Sequence, residues 1–174
     1  YAALLGKLSL ASDHRENLLS RGLTDEQIRT FGYKTMPAVG FSALAKQLQA
    51  EGYYLGGVPG FYHTKEGAWT FVQERRGILI PARDQDGKIQ GLQIRLDKIK
   101  KGKFRWISSI GKQDGCKAEG WTHMIGNPKP TVLLTEGPLK ADVIHYITGQ
   151  TVIAVPGVNS LKHLKETLEY LQSQ

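Results

Sequence analysis

The stretch from Thr131 to Val155 constrains the fold more than any other. Thr131 to Thr135 has an apolar strand pattern, Gly137-Pro138 opens a helix with proline at its first position, and Gly149 stops that helix near Thr148. Thr151 to Val155 repeats the strand pattern, and Pro156-Gly157 follows as a tight loop. Strand, helix and strand at this spacing form a parallel βαβ unit with a right-handed crossover.

The middle of the chain follows a different rhythm. Gly77 to Arg83 is a short apolar run, Asp84-Gln85-Asp86-Gly87 is a turn, and Lys88 to Leu96 alternates. Alternation puts Leu92, Ile94 and Leu96 on one face and Gln93 and Arg95 on the other. Pro81 implies an edge strand or a bulge, and a third strand is expected over Lys103 to Ser108. The first third reads as helices. Ser12 is expected to cap one through Leu19, with Gly22 beyond its end. Thr24 and Gln27 form a capping box for another, which turns Ile28 and Phe31 inward and stops at Gly32. Ser42 is expected to cap a third, carrying Leu44 and Leu48 and closed by Gly52. Residues 53–75 are rich in glycine and aromatics and suit either a packed irregular loop or short strands. Ser160 is expected to cap a last helix. The fold class is α/β: an α+β N-terminal subdomain over residues 1–125, helices plus a small mixed sheet, then a βαβ subdomain over residues 126–174.

Charge is distributed unevenly. The chain of 174 residues carries 23 basic and 16 acidic side chains, a net of +7, and residues 95–120 alone hold 8 basic against 3 acidic. A local basic patch points to a polyanionic partner, although a solvated lysine-rich loop has the same composition. The single cysteine, Cys116, excludes an internal disulfide framework and a zinc site built mainly from thiolates, and suits a reducing, cytoplasmic setting. No apolar run approaches the roughly 20 residues of a membrane span, and the N-terminus lacks the order of a signal peptide. The chain begins at Tyr1 without a methionine, which points to a piece of a longer protein.

Glu136 stands where the strand meets the helix, at the edge where open α/β sheets bind ligands. Gly137 after it lets the backbone turn sharply and a ligand approach closely. A carboxylate there suits a hard cation, Mg²⁺ or Mn²⁺, facing phosphate oxygens; it equally suits a favourable interaction with the helix dipole. The loop Val155-Pro156-Gly157-Val158-Asn159-Ser160 is expected beside it. The basic block contains Arg95, Lys98, Lys100, Lys101, Lys103, Arg105, Lys112 and Lys117. Alternation places Lys103 and Arg105 on one strand face, suited to a phosphate backbone, and Phe104 and Trp106 on the other, expected in the core. Asp84-Gln85-Asp86 has the spacing of a paired-carboxylate motif, but turn chemistry accounts for it. The five histidines show no metal-ligand spacing, and there is no P-loop.

Leu134-Thr135-Glu136-Gly137 with its helix, then Ala154-Val155-Pro156-Gly157, resembles the first acidic motif and glycine loop of a Toprim domain. Arg21-Gly22-Leu23-Thr24 through Phe31-Gly32-Tyr33 resembles the opening of the bacterial DnaG-type primase core. Ile80-Pro81-Ala82-Arg83-Asp84 with Gly87 to Gly91 resembles that core's hairpin, and Lys103 to Ser109 occupies the place of its lysine-led strand. The combination is similar to Toprim-like domains in replication proteins of phages, plasmids and integrative elements. The resemblance implies Glu136 as the first Toprim carboxylate, a metal ligand or acid/base. It implies Arg95 and Lys103, and less directly Lys112, as groups facing nucleic acid or nucleotide. The pattern departs from the family in lacking an Asp-x-Asp motif after Glu136, so the Toprim-like part is incomplete. The expected function is the core portion of a primase-like DNA replication protein from a mobile element. Its chemistry when complete would be Mg²⁺- or Mn²⁺-dependent nucleotidyl transfer, with metal ligands beyond this chain, and the chain alone would be inactive. Expected partners are single-stranded or primed DNA, nucleotides, and a helicase or other domains of the same protein. Two alternatives are a non-catalytic DNA-binding module and a Toprim nuclease.

Overall fold

A computed structural model describes residues 1–98, 102–157 and 161–173. Lys100 and Lys101 of the basic block, and Val158, Asn159 and the Ser160 cap, lie outside the described residues. The elements run α1 (Ala2–Gly6), α2 (Ser12–Leu19), α3 (Asp25–Phe31), β1 (Lys34–Thr35), α4 (Phe41–Ala50), β2 (Phe61–His63), β3 (Trp69–Phe71), β4 (Gly77–Arg83) and β5 (Ile89–Leu96). They continue with β6 (Phe104–Trp106), β7 (His123–Ile125), β8 (Val132–Glu136), α5 (Pro138–Thr148), β9 (Thr151–Val155) and α6 (Leu164–Gln172). The fold class is α/β, as the sequence implies. Among the described residues no helix is long and apolar enough to cross a membrane.

Local signals place several elements directly. Both halves of the Thr24–Gln27 capping box are made, and Gly32 closes α3 in the left-handed conformation. Two other expected caps move. The N-cap of α2 is Ala11 rather than Ser12, because the Ala11 N–H donates to Thr35 Oγ1 at 2.9 Å and holds the chain extended there. The N-cap of α4 is Gly40 rather than Ser42; the Ser42 hydroxyl instead bonds Thr70 Oγ1 at 3.1 Å, tying α4 to the small β2–β3 hairpin. The last helix starts at Leu164 behind His163.

The main sheet has the order β1-β4-β5-β6 and is antiparallel. β1 pairs only with Ile78 and Leu79, so Pro81 lies beyond its reach and a register shift follows at Ala82/Arg83. β4 is an inner strand and not the edge strand expected from Pro81; the alternative, a bulge, is found one residue on. Along β4 the sheet is buried on both faces. Leu79, Leu92, Ile94 and Leu96 join α1, α4 and the β2–β3 hairpin in one core. Ile78 and Ile80, on the other face, pack with Leu18 of α2, Ile28 of α3, Tyr33 and Leu139 of α5 in a second. The second sheet has the order β7-β9-β8, with β8 and β9 parallel around the α5 crossover and β7 antiparallel to β9. Through Leu139, α5 belongs to this second core as well as to its own sheet, and this fixes where the end of β8 stands.

Candidate functional site

Between the open face of β5–β6 and the start of α5 lies a cleft of about 480 Å³. One wall is Arg21, just past α2, with Gln93 and Arg95 of β5 and Lys103 and Phe104 at the start of β6. The other is Glu136, Gly137, Leu139 and Lys140 at the β8–α5 junction, with Val143, Ile144 and Pro156.

Register explains the first wall. Arg95 pairs with Ile78 and with Phe104, and Gln93 with Ile80 and Trp106, and cross-strand partners share a face. That face carries Arg95 into the cleft and Phe104 with it. The expectation that Phe104 is core is overturned: it is 46% exposed, because it shares the cleft face with Arg95 and not the core face with Ile94. Trp106 is half-buried and lies over Gly91, where a Cβ would come within 3.0 Å of the indole. Arg105 pairs with Ile94, so it rims the opposite face and does not line the cleft. The exposed Lys112 stands elsewhere, its Nζ 5.6 Å over the Tyr62 ring.

The second wall is set by the parallel pair. Glu136 is in register with Val155, and the Gly137 N–H donates to Val155 O at 2.9 Å. Gly137 has φ +81°, a conformation that a side chain resists. Glu136 is exposed at the carboxyl edge, and Lys140, in the first turn of α5, reaches the same cleft.

Among the described residues the cleft is thus lined by four cations, Arg21, Arg95, Lys103 and Lys140, against one carboxylate, Glu136. Among the described residues none of these four makes an ion pair; the Arg21 guanidinium donates to Asn17 Oδ1 at 3.2 Å. Burial, and then the neighbouring Arg21 guanidinium, hold the Arg95 pKa below its ordinary value. A cluster of cations without ion-pair partners is the electrostatic complement of an anion.

Among the described residues no group of three or more His, Cys, Asp or Glu is placed to hold a metal. Glu136 alone supplies one hard oxygen. That donor set does not make a closed cage, but it fits Mg²⁺ arriving with phosphate oxygens, which ordinarily supply much of its coordination. Of the residues singled out from the sequence, Arg95, Lys103 and Glu136 converge here. Arg21, Gln93 and Lys140 join them; alternation already places Gln93 on the Arg95 face, Arg21 falls in the segment that resembles the primase-core opening, and Lys140 lies in the first turn of α5.

Close to the cleft, α5 is fastened by a buried polar chain. Tyr33 donates its hydroxyl to Asp142 Oδ2. His123 Nε2 donates to Asp142 Oδ1 at 3.0 Å, while its Nδ1 accepts the Arg83 N–H at 2.9 Å. Nδ1 being an acceptor, the ring carries its proton on Nε2. Burial and the Asp142 carboxylate push the Tyr33 phenol well above its ordinary pKa. Helix α3's exit, β4, β7 and α5 meet at this chain.

Solved structures with this fold cover nearly the whole chain. The crystal structure of the Aquifex aeolicus primase, with zinc-binding and RNA polymerase domains, matches at TM-score 0.68 and 19% identity over 98% of this chain and 44% of its own. The RNA polymerase domain of Mycobacterium tuberculosis primase DnaG, in complex with a double-stranded DNA oligomer with a 6-nucleotide overhang, matches at 0.68 and 21% over 99% and 55%. The DnaG primase catalytic domain bound to ssDNA matches at 0.56 and 18% over 94% and 54%. No family model and no curated protein sequence matches. The chain has the fold of the DnaG-type primase catalytic core and spans about half the length of these structures.

Proposed function

We propose that this chain is the nucleic-acid-binding core portion of a primase-like DNA replication protein, with the cleft as its phosphate-binding face. The observation that carries the reading is the set of four cations, none of them in an ion pair among the described residues, gathered in one cleft of a primase-core fold. Residues 1–125 supply Arg95, Lys103 and Arg21 as the cationic wall, with Arg105 and Lys112 as outlying contacts to the strand. Residues 126–174 supply Glu136 at the edge of a Toprim-like unit. The partners are single-stranded or primed DNA and nucleotides, with a helicase or other domains of the same protein, in the cytoplasm. The motif resemblance supports a mobile element as its source.

In nucleotidyl transfer the cations would hold and orient phosphates, and Glu136 would offer one ligand to Mg²⁺ or Mn²⁺. When bound, the metal supplies charge stabilisation at the attacking and leaving oxygens. The chain's own residues supply positioning, so residues 1–174 by themselves are expected to bind without turnover. The single carboxylate in the cleft favours one second reading, a DNA-binding module without catalysis.

Glu136→Gln distinguishes the two when binding of a primed single strand is measured in EDTA and in Mg²⁺. The primase-like reading expects the variant to bind as tightly as wild type or more tightly in EDTA, since one negative charge leaves the phosphate face. It expects the variant to lose any Mg²⁺-dependent gain. Equal responses to Mg²⁺ in both proteins favour the binding module. Failure of the wild-type chain to bind at low salt would overturn both.

A further inference from the structure

A second pocket, of about 460 Å³, opens on the opposite side of the main sheet from the cleft, between α4 and the β2–β3 hairpin. Its lining includes Ser42, Lys46 and Gln49 of α4 and the cross-strand pair His63 and Trp69, whose rings lie 3.9 Å apart. His63 Nδ1 donates to Asp114 Oδ2 at 2.8 Å. An ionised carboxylate only accepts, so Nδ1 carries the proton and the neutral ring keeps a lone pair on Nε2. Nε2 has no partner among the described residues, yet it is not one of the buried polar atoms left without one, so solvent reaches it. Asp114 has φ +53°, and among the described residues no other non-glycine residue has positive φ. Side chains held in that conformation are uncommon and collect at functional sites; here it is the side chain that orients His63. Lys46 is exposed and, among the described residues, makes no ion pair, and no Asp or Glu lines the pocket.

We infer that His63 Nε2 and Lys46 form a second anion site, which takes a phosphate monoester: a free phosphorylated molecule or the terminal phosphate of a strand. Lys46 supplies positive charge, and Nε2 calls for a partner that can share one proton with it. A phosphate monoester loses its second proton near pH 6, close to the ordinary range of an imidazole. Either its O–H donates to Nε2 or a protonated ring donates Nε2–H to its oxygen, and one hydrogen bond forms in both cases. A phosphodiester has no such proton and one charge fewer, so it matches the site less well. The charged groups at the ring and in the pocket are Asp114, from the loop after β6, and Lys46, from α4. The carboxylate supports an imidazolium, and an anion between ring and ammonium is attracted by both.

The test is proton NMR of the 174-residue chain at fixed pH in EDTA, following the His63 ring protons as inorganic phosphate is added. Their absence from His63→Gln assigns them. Wild type is expected to show a saturable shift. Lys46→Ala, at an exposed position, is expected to weaken binding about tenfold, the loss of one charged hydrogen bond. Asp114→Gly is expected to keep or raise the unfolding temperature, because glycine adopts a positive φ freely, and to weaken phosphate binding. A 5′-phosphorylated single strand that moves these protons at lower concentration than inorganic phosphate, its unphosphorylated counterpart being silent, assigns the ligand to a strand end. The reverse order assigns it to a free phosphorylated molecule, and either supports the inference. Equal response to the unphosphorylated strand overturns it. So does a shift that never saturates, a titration unchanged in Lys46→Ala, or an Asp114→Gly protein that is less stable yet binds as wild type does. The readout is local to His63, so it succeeds or fails separately from phosphate binding in the cleft.

Discussion

Arg76 and Arg95 sit at the same end of the β4–β5 hairpin and have opposite surroundings. Arg76, just before β4, donates to both oxygens of Asp13, at 2.8 and 2.6 Å, and to Asp97 at 2.7 Å. Asp97 in turn meets the buried His14 at 2.9 Å. Hydrogen bonds to Asp13, then Asp97, raise the Arg76 pKa, whereas burial and Arg21 lower that of Arg95. One guanidinium is satisfied within the fold and fastens α2 to the hairpin; the other lies beside Arg21 and, among the described residues, makes no ion pair. Residue type and strand position do not distinguish them. The distribution of carboxylates does, and it separates a charge that maintains the structure from one left available to a ligand.

That contrast can be broken most severely at the cleft. Replacing Arg95 and Lys103 together by Ala is expected to weaken binding of primed single-stranded DNA tenfold or more at low salt. It should also flatten the dependence of log K on log salt by about 1.4, the effect of two lost phosphate contacts on a single strand. Filter binding across a salt series reads both, with Arg105→Ala, outside the cleft, as a milder comparison. An unchanged slope in the double variant would return the basic block to a solvated surface.

Arg76→Ala should do the reverse. Ion pairs this exposed contribute little each, so thermal unfolding is expected to shift down by about 2–4 °C, with the DNA salt slope unchanged. A shifted slope would mean that the network also shapes the cleft. The smallest effect concerns pH. Arg76 lowers the Asp13 pKa to about 2, against about 3.9 in an unfolded chain. The resulting stability is present above about pH 4 and is lost as pH falls toward 2. Unfolding temperature against pH should therefore decline less steeply in that window for Asp13→Asn than for wild type, and parallel curves would remove Asp13 from the account.

What the sequence reveals about this fold follows the range of the interactions involved. The α3 capping box closes within four residues, and the β8–α5–β9 unit is written in consecutive breaks and apolar runs. Both stand where the pattern places them. The α2 cap moves to Ala11 because Thr35 reaches back across the chain, and Ser42 serves a tertiary bond to Thr70 instead of its own helix. The site divides in the same way. Glu136 is marked by a local strand–helix junction, and Arg95 by alternation within one strand. Arg21 and Gln93 become cleft residues only when α2, the main sheet and α5 pack together. Alternation correctly pairs Phe104 with Trp106, but it does not say which face is wet. The β5–β6 register decides that.

The polar chain at Asp142 limits how this molecule could be recombined. Its two oxygens are occupied by donors 109 and 19 residues away in sequence, from segments that precede the β8–α5–β9 unit. Grafted alone onto another sheet, that unit would carry into the new interior a carboxylate stripped of its donors, a defect of about 3–5 kcal/mol by the measure of broken buried pairs. Any functional chimera would have to transfer Tyr33 and His123 with it, so three scattered positions form one heritable unit.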